Sequence, residues 1–133
     1  MTEAYVTDFA SGNLNAIAAM VDFYGGPRTF DSRPPKLRAY AAEITTVNIV
    51  GWATSYRFPI TASAPAQLEL PVLVARGGES HPAVQRANEL LAKYVRTGRL
   101  ATIESAAHFM VASHFEEVAD LISEHVHSVP DRC

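Results

Sequence analysis

The chain has 133 residues, 48% hydrophobic and 19% charged, with 11 Lys+Arg against 14 Asp+Glu and a formal charge of −3. That length fits one domain of ordinary size, the apolar content excludes disorder through low hydrophobicity, and nucleic-acid binding is disfavoured by the absence of a basic stripe. No apolar run reaches the roughly 18 residues of a membrane span, the acidic start (Glu3, Asp8) lacks the basic region of a signal peptide, and the one cysteine, Cys133, fits a reducing, cytoplasmic setting.

Ser11-Gly12-Asn13 reads as a turn that caps a helix. Behind it Leu14, Ile17, Val21 and Tyr24 recur at three- and four-residue steps, which makes one face apolar. Gly25-Gly26-Pro27 stops that helix, Arg28 to Arg33 is a loop, and Pro34-Pro35 opens the next helix. Leu37, Tyr40, Ile44 and Val47 continue at helical spacing. Ile44 to Val50 is rich in β-branched residues and can also be a strand, but the period of the residues before it favours helix. Pro59 to Pro65 is an extended connection.

In the second half, Pro71 to Arg76 is a short apolar run ended by Gly77-Gly78, the pattern of a strand buried on both faces. Ser80, as cap, opens a helix with Val84, Ala87, Leu91 and Tyr94 on one face. Arg99 to Glu104 is a second strand and Ser105 to Ala112 a loop. Ser113, three residues before Glu116, has the pattern of a capping box, and the helix behind it is expected to bury Phe115, Val118, Leu121 and Ile122. Strand–helix–strand–helix implies a parallel pair joined by a right-handed crossover. Two parallel strands do not make a stable sheet alone. Either a third strand lies in residues 44–50 or 56–62, or the chain leans on another.

Neither the spacing of His108 and His114 nor that of His125 and His127 suits zinc, so no metal and no cofactor is expected. The aromatics of the first half, Phe23, Tyr24, Phe30, Trp52, Tyr56 and Phe58, read as core in an ordinary protein. Trp52 and Tyr56, one helical turn apart, are spaced to form a ligand wall.

Three segments carry a resemblance to a known family. Asp22-Phe23-Tyr24-Gly25-Gly26-Pro27 resembles an aromatic–glycine–proline segment in the cap of some α/β-hydrolases. Leu70 to Gly78 resembles the penultimate strand of that family with its glycine turn. Ala106-Ala107-His108-Phe109, followed by Phe115-Glu116-Glu117-Val118, resembles its histidine loop and final helix. The resemblance implies an α/β chain in two parts: a helical cap-like region over 1–66, and the last two βα units of a hydrolase core, with parallel strands, over 67–133. It also implies a Ser–acid–His triad in that chain order. His108 falls on the general-base position, where a pKa near neutrality lets imidazole take a proton from serine and return it to the leaving group.

Glu79 is the carboxylate nearest the family's acid position. It reads either as the group that orients the imidazole or as a first-turn helix acid. Phe23, Tyr24, Trp52, Tyr56 and Phe109 are the candidate binding residues for a small, apolar ester, thioester or amide. Ser11, Ser55 and Ser63 all fail the Gly-x-Ser-x-Gly pattern of the nucleophile turn. The expectation is therefore a truncated or split hydrolase-like chain, active only with a complementing N-terminal half. The alternative is a non-catalytic, self-associating module that binds an apolar small molecule or a protein.

Overall fold

The helical spacing of the first half is realised as four helices: α1 (Thr2–Ala10), α2 (Ile17–Gly25), α3 (Pro35–Glu43) and α4 (Thr45–Arg57). The computed structural model describes residues 2–61 and 63–129, and the side chain of Tyr56 and all of Cys133 lie outside the described residues. The chain divides into two units, Met1–Pro59 and Ile60–Cys133.

In the first unit Tyr5, Ala16, Ile17, Met20, Val21 and Phe30 form the core. The Tyr5 hydroxyl donates to Asn48 Oδ1 at 3.0 Å, which ties α1 to α4, and burial raises the pKa of that phenol. The stop after α2 follows the glycines: α2 ends at Gly25, and Gly26 takes φ 95°, a backbone region that side chains disfavour. Asp22 then holds the turn, accepting from the Phe30 N–H at 2.7 Å and the Arg28 N–H at 3.3 Å. These bonds offset the cost of placing Arg28 at φ 64°.

Several sequence expectations need correction here. The favoured helical reading of the Ile44–Val50 stretch holds, with Ile44 at the junction of α3 and α4, and only the alternative of a third strand at 44–50 falls away. The start at Thr2–Ala10 is a helix that the turn signals did not announce. Asn13 does not cap α2; its side chain closes a local turn by accepting from the Asn15 N–H at 2.9 Å. Leu14, Leu37, Tyr40 and Val47 are exposed, although each lies at core spacing. The most buried position on α4 is Thr45, whose hydroxyl donates back to the Ala41 carbonyl.

The second unit carries a two-stranded parallel sheet, β1 (Val72–Gly77) and β2 (Gly98–Ile103), joined through α5 (Pro82–Tyr94). After β2 come the one-turn helix α6 (Met110–Ser113) and the long helix α7 (Phe115–Ser128). Among the described residues there is no third strand, and 56–61 supplies none.

Side chains alternate along a strand, so the register sorts the two helices onto opposite faces. Arg76 pairs with Thr102 across the sheet and points to α5. Its guanidinium donates to Thr102 Oγ1 at 3.2 Å, the Gln85 carbonyl at 3.2 Å and Glu89 Oε1 at 2.7 Å. Arg99, on the other face, reaches Glu124 of α7 at 3.1 Å. The unit is thus a three-layer α/β arrangement on a sheet only two strands wide.

That width leaves both helices partly uncovered. On α7 the apolar residues span an arc of about 140° at 100° per residue. Val118 and Leu121, on one flank, are half-buried, while Phe115, Ile122 and Val126, on the other, are exposed. On α5 the predicted face behaves likewise: Val84 is half-buried, whereas Ala87, Leu91 and Tyr94 are exposed. β1 is not buried on both faces either, since only Val74 and Gly77 are fully covered.

Arg76, with its side chain 15% exposed, is the polar tie between sheet and α5. Its hydrogen bond, with a second from Arg86, holds the Glu89 carboxyl below the usual glutamate value. Stability from this carboxylate is complete above 4.5 and is lost as the pH falls through the lower folded value. Arg76→Met is expected to return the Glu89 midpoint toward 4.5 in a carboxyl NMR titration. Acid unfolding of the same variant should show a shallower loss of stability below that pH.

Candidate functional site

The carboxyl ends of parallel strands are where α/β folds place their sites, and two loops meet there. Gly77-Gly78-Glu79 leaves β1, and Glu104 to Phe109 leaves β2. The Gly78 N–H donates to the Ile103 carbonyl at 2.9 Å, and the Glu79 N–H to the Ala106 carbonyl at 2.9 Å. Ala106 is completely buried beneath this joint.

Two glycines are required because the backbones touch. A Cβ at Gly77 would stand 2.5 Å from the Ala107 carbonyl oxygen, and one at Gly78 would stand 2.6 Å from that of Glu104. Gln85 secures the turn from below, its side-chain amide donating to the Gly78 and Ser80 carbonyls at 2.8 Å each.

The joint seats His108 two residues beyond Ala106. Its ring lies edge-on to Phe109, centroids 5.6 Å apart. The residue stays open to solvent, yet partial burial of the ring holds its pKa below the ordinary histidine value. A base with a lowered pKa is neutral at pH 7, the form that accepts a proton.

Glu79 meets the histidine loop through its main-chain N–H, and its side chain is exposed. The reading of Glu79 as a first-turn acid is corrected, because α5 starts at Pro82 and Glu79 stands before the cap. That cap is His81 rather than Ser80: the imidazole Nδ1 accepts from the Ala83 N–H at 3.2 Å. Ser80 occupies a strand-to-helix turn but is only 3% exposed, so its hydroxyl is not raised as a nucleophile turn demands.

The remaining candidates fall in the first unit. Phe23 and Tyr24 meet edge-to-face at 5.0 Å, and Tyr24 lies 5.6 Å from Trp52 at a 33° tilt. Trp52 also lines a shallow hollow with Asn48, Gly51 and Ser55. Phe23, Tyr24 and Trp52 therefore form one aromatic cluster, while His108, Phe109 and the backbone of Glu79 share a site in the second unit.

Sequence reasoning missed Gln85, whose role depends on the turn folding back over α5. It also missed the partners of His114, which lie nine residues away and one residue away. The expected Ser113 capping box is absent: α7 is preceded by His114 with no side-chain cap, and Ser113 ends α6 instead.

Among the described residues no group of three His, Cys, Asp or Glu side chains is placed to hold a metal ion. None of their helices is long and apolar enough to cross a membrane. No protein-family model, curated protein or solved structure matches this chain.

Two outcomes follow from this geometry. Gly77→Ala forces the loops apart and is expected to cost about 1–3 kcal/mol, measured as a lower denaturation midpoint at unchanged slope. An NMR titration of the His108 imidazole should show a midpoint below 6.5. Protonation is harder in the folded chain than in the unfolded one. Stability from this group is therefore complete above 6.5 and lost as the pH falls through the lower folded value, and His108→Gln should flatten that slope.

Proposed function

We propose that this chain supplies the general-base half of an α/β-hydrolase-like site, hydrolysing a small apolar ester, thioester or amide once further strands and a nucleophile are provided from outside these residues. One observation carries the reading. A parallel strand pair ends in a double-glycine turn whose backbone seats a histidine loop at the carboxyl edge, with the imidazole biased toward its neutral form.

In this role His108 takes the proton of an incoming serine and returns it to the leaving group. Glu79, anchored to the same loop, orients the imidazole, and Phe109 lines the acyl side. The aromatic cluster of Phe23, Tyr24 and Trp52 belongs to a cap that selects apolar substrates. The 133 residues contain no Gly-x-Ser-x-Gly. Loss of a triad member costs several powers of ten in rate, so efficient turnover by the chain alone is not expected.

A second reading rests on the uncovered flanks of α5 and α7, where Leu91, Tyr94, Phe115, Ile122 and Val126 are exposed. Those flanks suit a non-catalytic homo-oligomer that holds an apolar ligand or a protein. Size-exclusion chromatography combined with a p-nitrophenyl butyrate assay separates the two.

The first reading expects background turnover from the purified chain. It expects at least about 10²-fold more after mixing with an α/β-hydrolase fragment bearing Gly-x-Ser-x-Gly, with the gain abolished by His108→Ala. A stable oligomer that gains nothing from the fragment supports the second reading and overturns the first.

A further inference from the structure

We infer that Ser105 is an activated hydroxyl, a site of covalent modification by activated esters and phosphonyl halides, with His114 as its base and Ser113 as the group that sets the base. Ser105 stands just past β2, after Glu104, and is exposed; His114 precedes α7 and is half-buried. Ser105 Oγ lies 3.3 Å from His114 Nε2, and Ser113 Oγ lies 2.9 Å from His114 Nδ1. Nucleophile, base and orienting group are thus in hydrogen-bond sequence, the relation that activates a serine.

Counting protons gives the chain a direction. The Ser113 hydroxyl has one hydrogen, which it donates to the Phe109 carbonyl at 3.4 Å. In the His114 tautomer that carries its proton on Nδ1, the hydroxyl then accepts from the imidazole at 2.9 Å. Nε2 is then a bare lone pair, and its neighbour is the Ser105 O–H. The same tautomer logic governs serine hydrolases, where a carboxylate fixes the Nδ1 proton; here a hydroxyl backed by a carbonyl does so.

The site is distinct from that of His108 and does not depend on the reading of that residue. The capping-box signal that failed here has an explanation in the same contacts. Ser113 does not cap α7, and α7 has no side-chain cap, because the serine and the histidine at that junction are engaged with each other and with Ser105.

The reaction balances without a co-reactant. With a fluorophosphonate, Ser105 Oγ forms a bond to phosphorus, the P–F bond breaks and fluoride leaves. The hydroxyl proton passes to Nε2 and on to solvent. With an aryl ester, the Oγ–acyl bond forms, the aryl–oxygen leaving group departs, and the proton follows the same route.

The test treats the intact purified chain with a fluorophosphonate probe and maps the adduct by peptide mass spectrometry over time. The expected result is one dominant adduct, on Ser105, lost in Ser105→Ala and unchanged in Ser123→Ala. His114→Ala is expected to slow labelling about 10²-fold, and Ser113→Ala to slow it by less. Circular dichroism confirms that each variant is folded, and if His114→Ala is not, Ser113→Ala and His114→Gln take its place. Labelling of Ser105 no faster than of the exposed Ser11 and Ser128, or a rate untouched by every folded His114 and Ser113 variant, overturns the proposal.

Discussion

The width of the sheet governs the second unit. A parallel pair offers two faces, and each attracts a helix, because α5 and α7 carry apolar stripes that must leave water. A helix stripe on α7 spans about 140°, and two strands cover only part of it. The result is the same on both sides: Leu121 and Val84 find cover while Ile122 and Leu91 do not. Each strand also has one edge without a strand partner among the described residues, and unpaired edges invite further strands. The exposed flanks and open edges have a single cause, and added strands would answer both.

Within that narrow frame the best-defined feature is made of backbone. The turn after β1 and the loop after β2 are joined amide to carbonyl, and the joint closes only because positions 77 and 78 have no side chains. Gln85 adds two donors from α5, so the joint is held from a third element. A side chain placed on such a joint inherits its order. His108 stands two residues from the buried Ala106 and combines a partly desolvated ring with an open approach from solvent.

The junction before α7 shows how one arrangement satisfies several groups at once. His114 links the end of β2, through Ser105, to the last turn of α6, through Ser113. The loop that bears His108 and Phe109 lies between these two serines in the sequence, so the same imidazole closes that loop.

Local signals that act over a few residues were legible. Gly25-Gly26-Pro27 ends a helix because glycine alone tolerates φ near 95° cheaply, and Pro34-Pro35 starts one because proline in the first turn forfeits no hydrogen bond. The apolar run before Gly77 and the Arg99 region form strands, and their order implied the parallel pair. What periodicity left open was which part of an apolar stripe is covered. Leu37, Tyr40, Val47 and Phe115 all have core spacing and are exposed, because burial depends on a neighbouring element and not on the stripe itself.

By itself, then, the sequence determined both strands and most of the helices, α1 and α6 excepted, with their order and the main turns, since these follow from backbone preferences within one or two helical turns. Only the tertiary structure decided that Gly77 and Gly78 are needed for contact with Ala107 and Glu104, that His81 and not Ser80 caps α5, and that His114 lies between two serines. Each of those is a meeting of atoms whose distance is set by the packing of whole elements, a quantity that residue spacing along the chain does not contain.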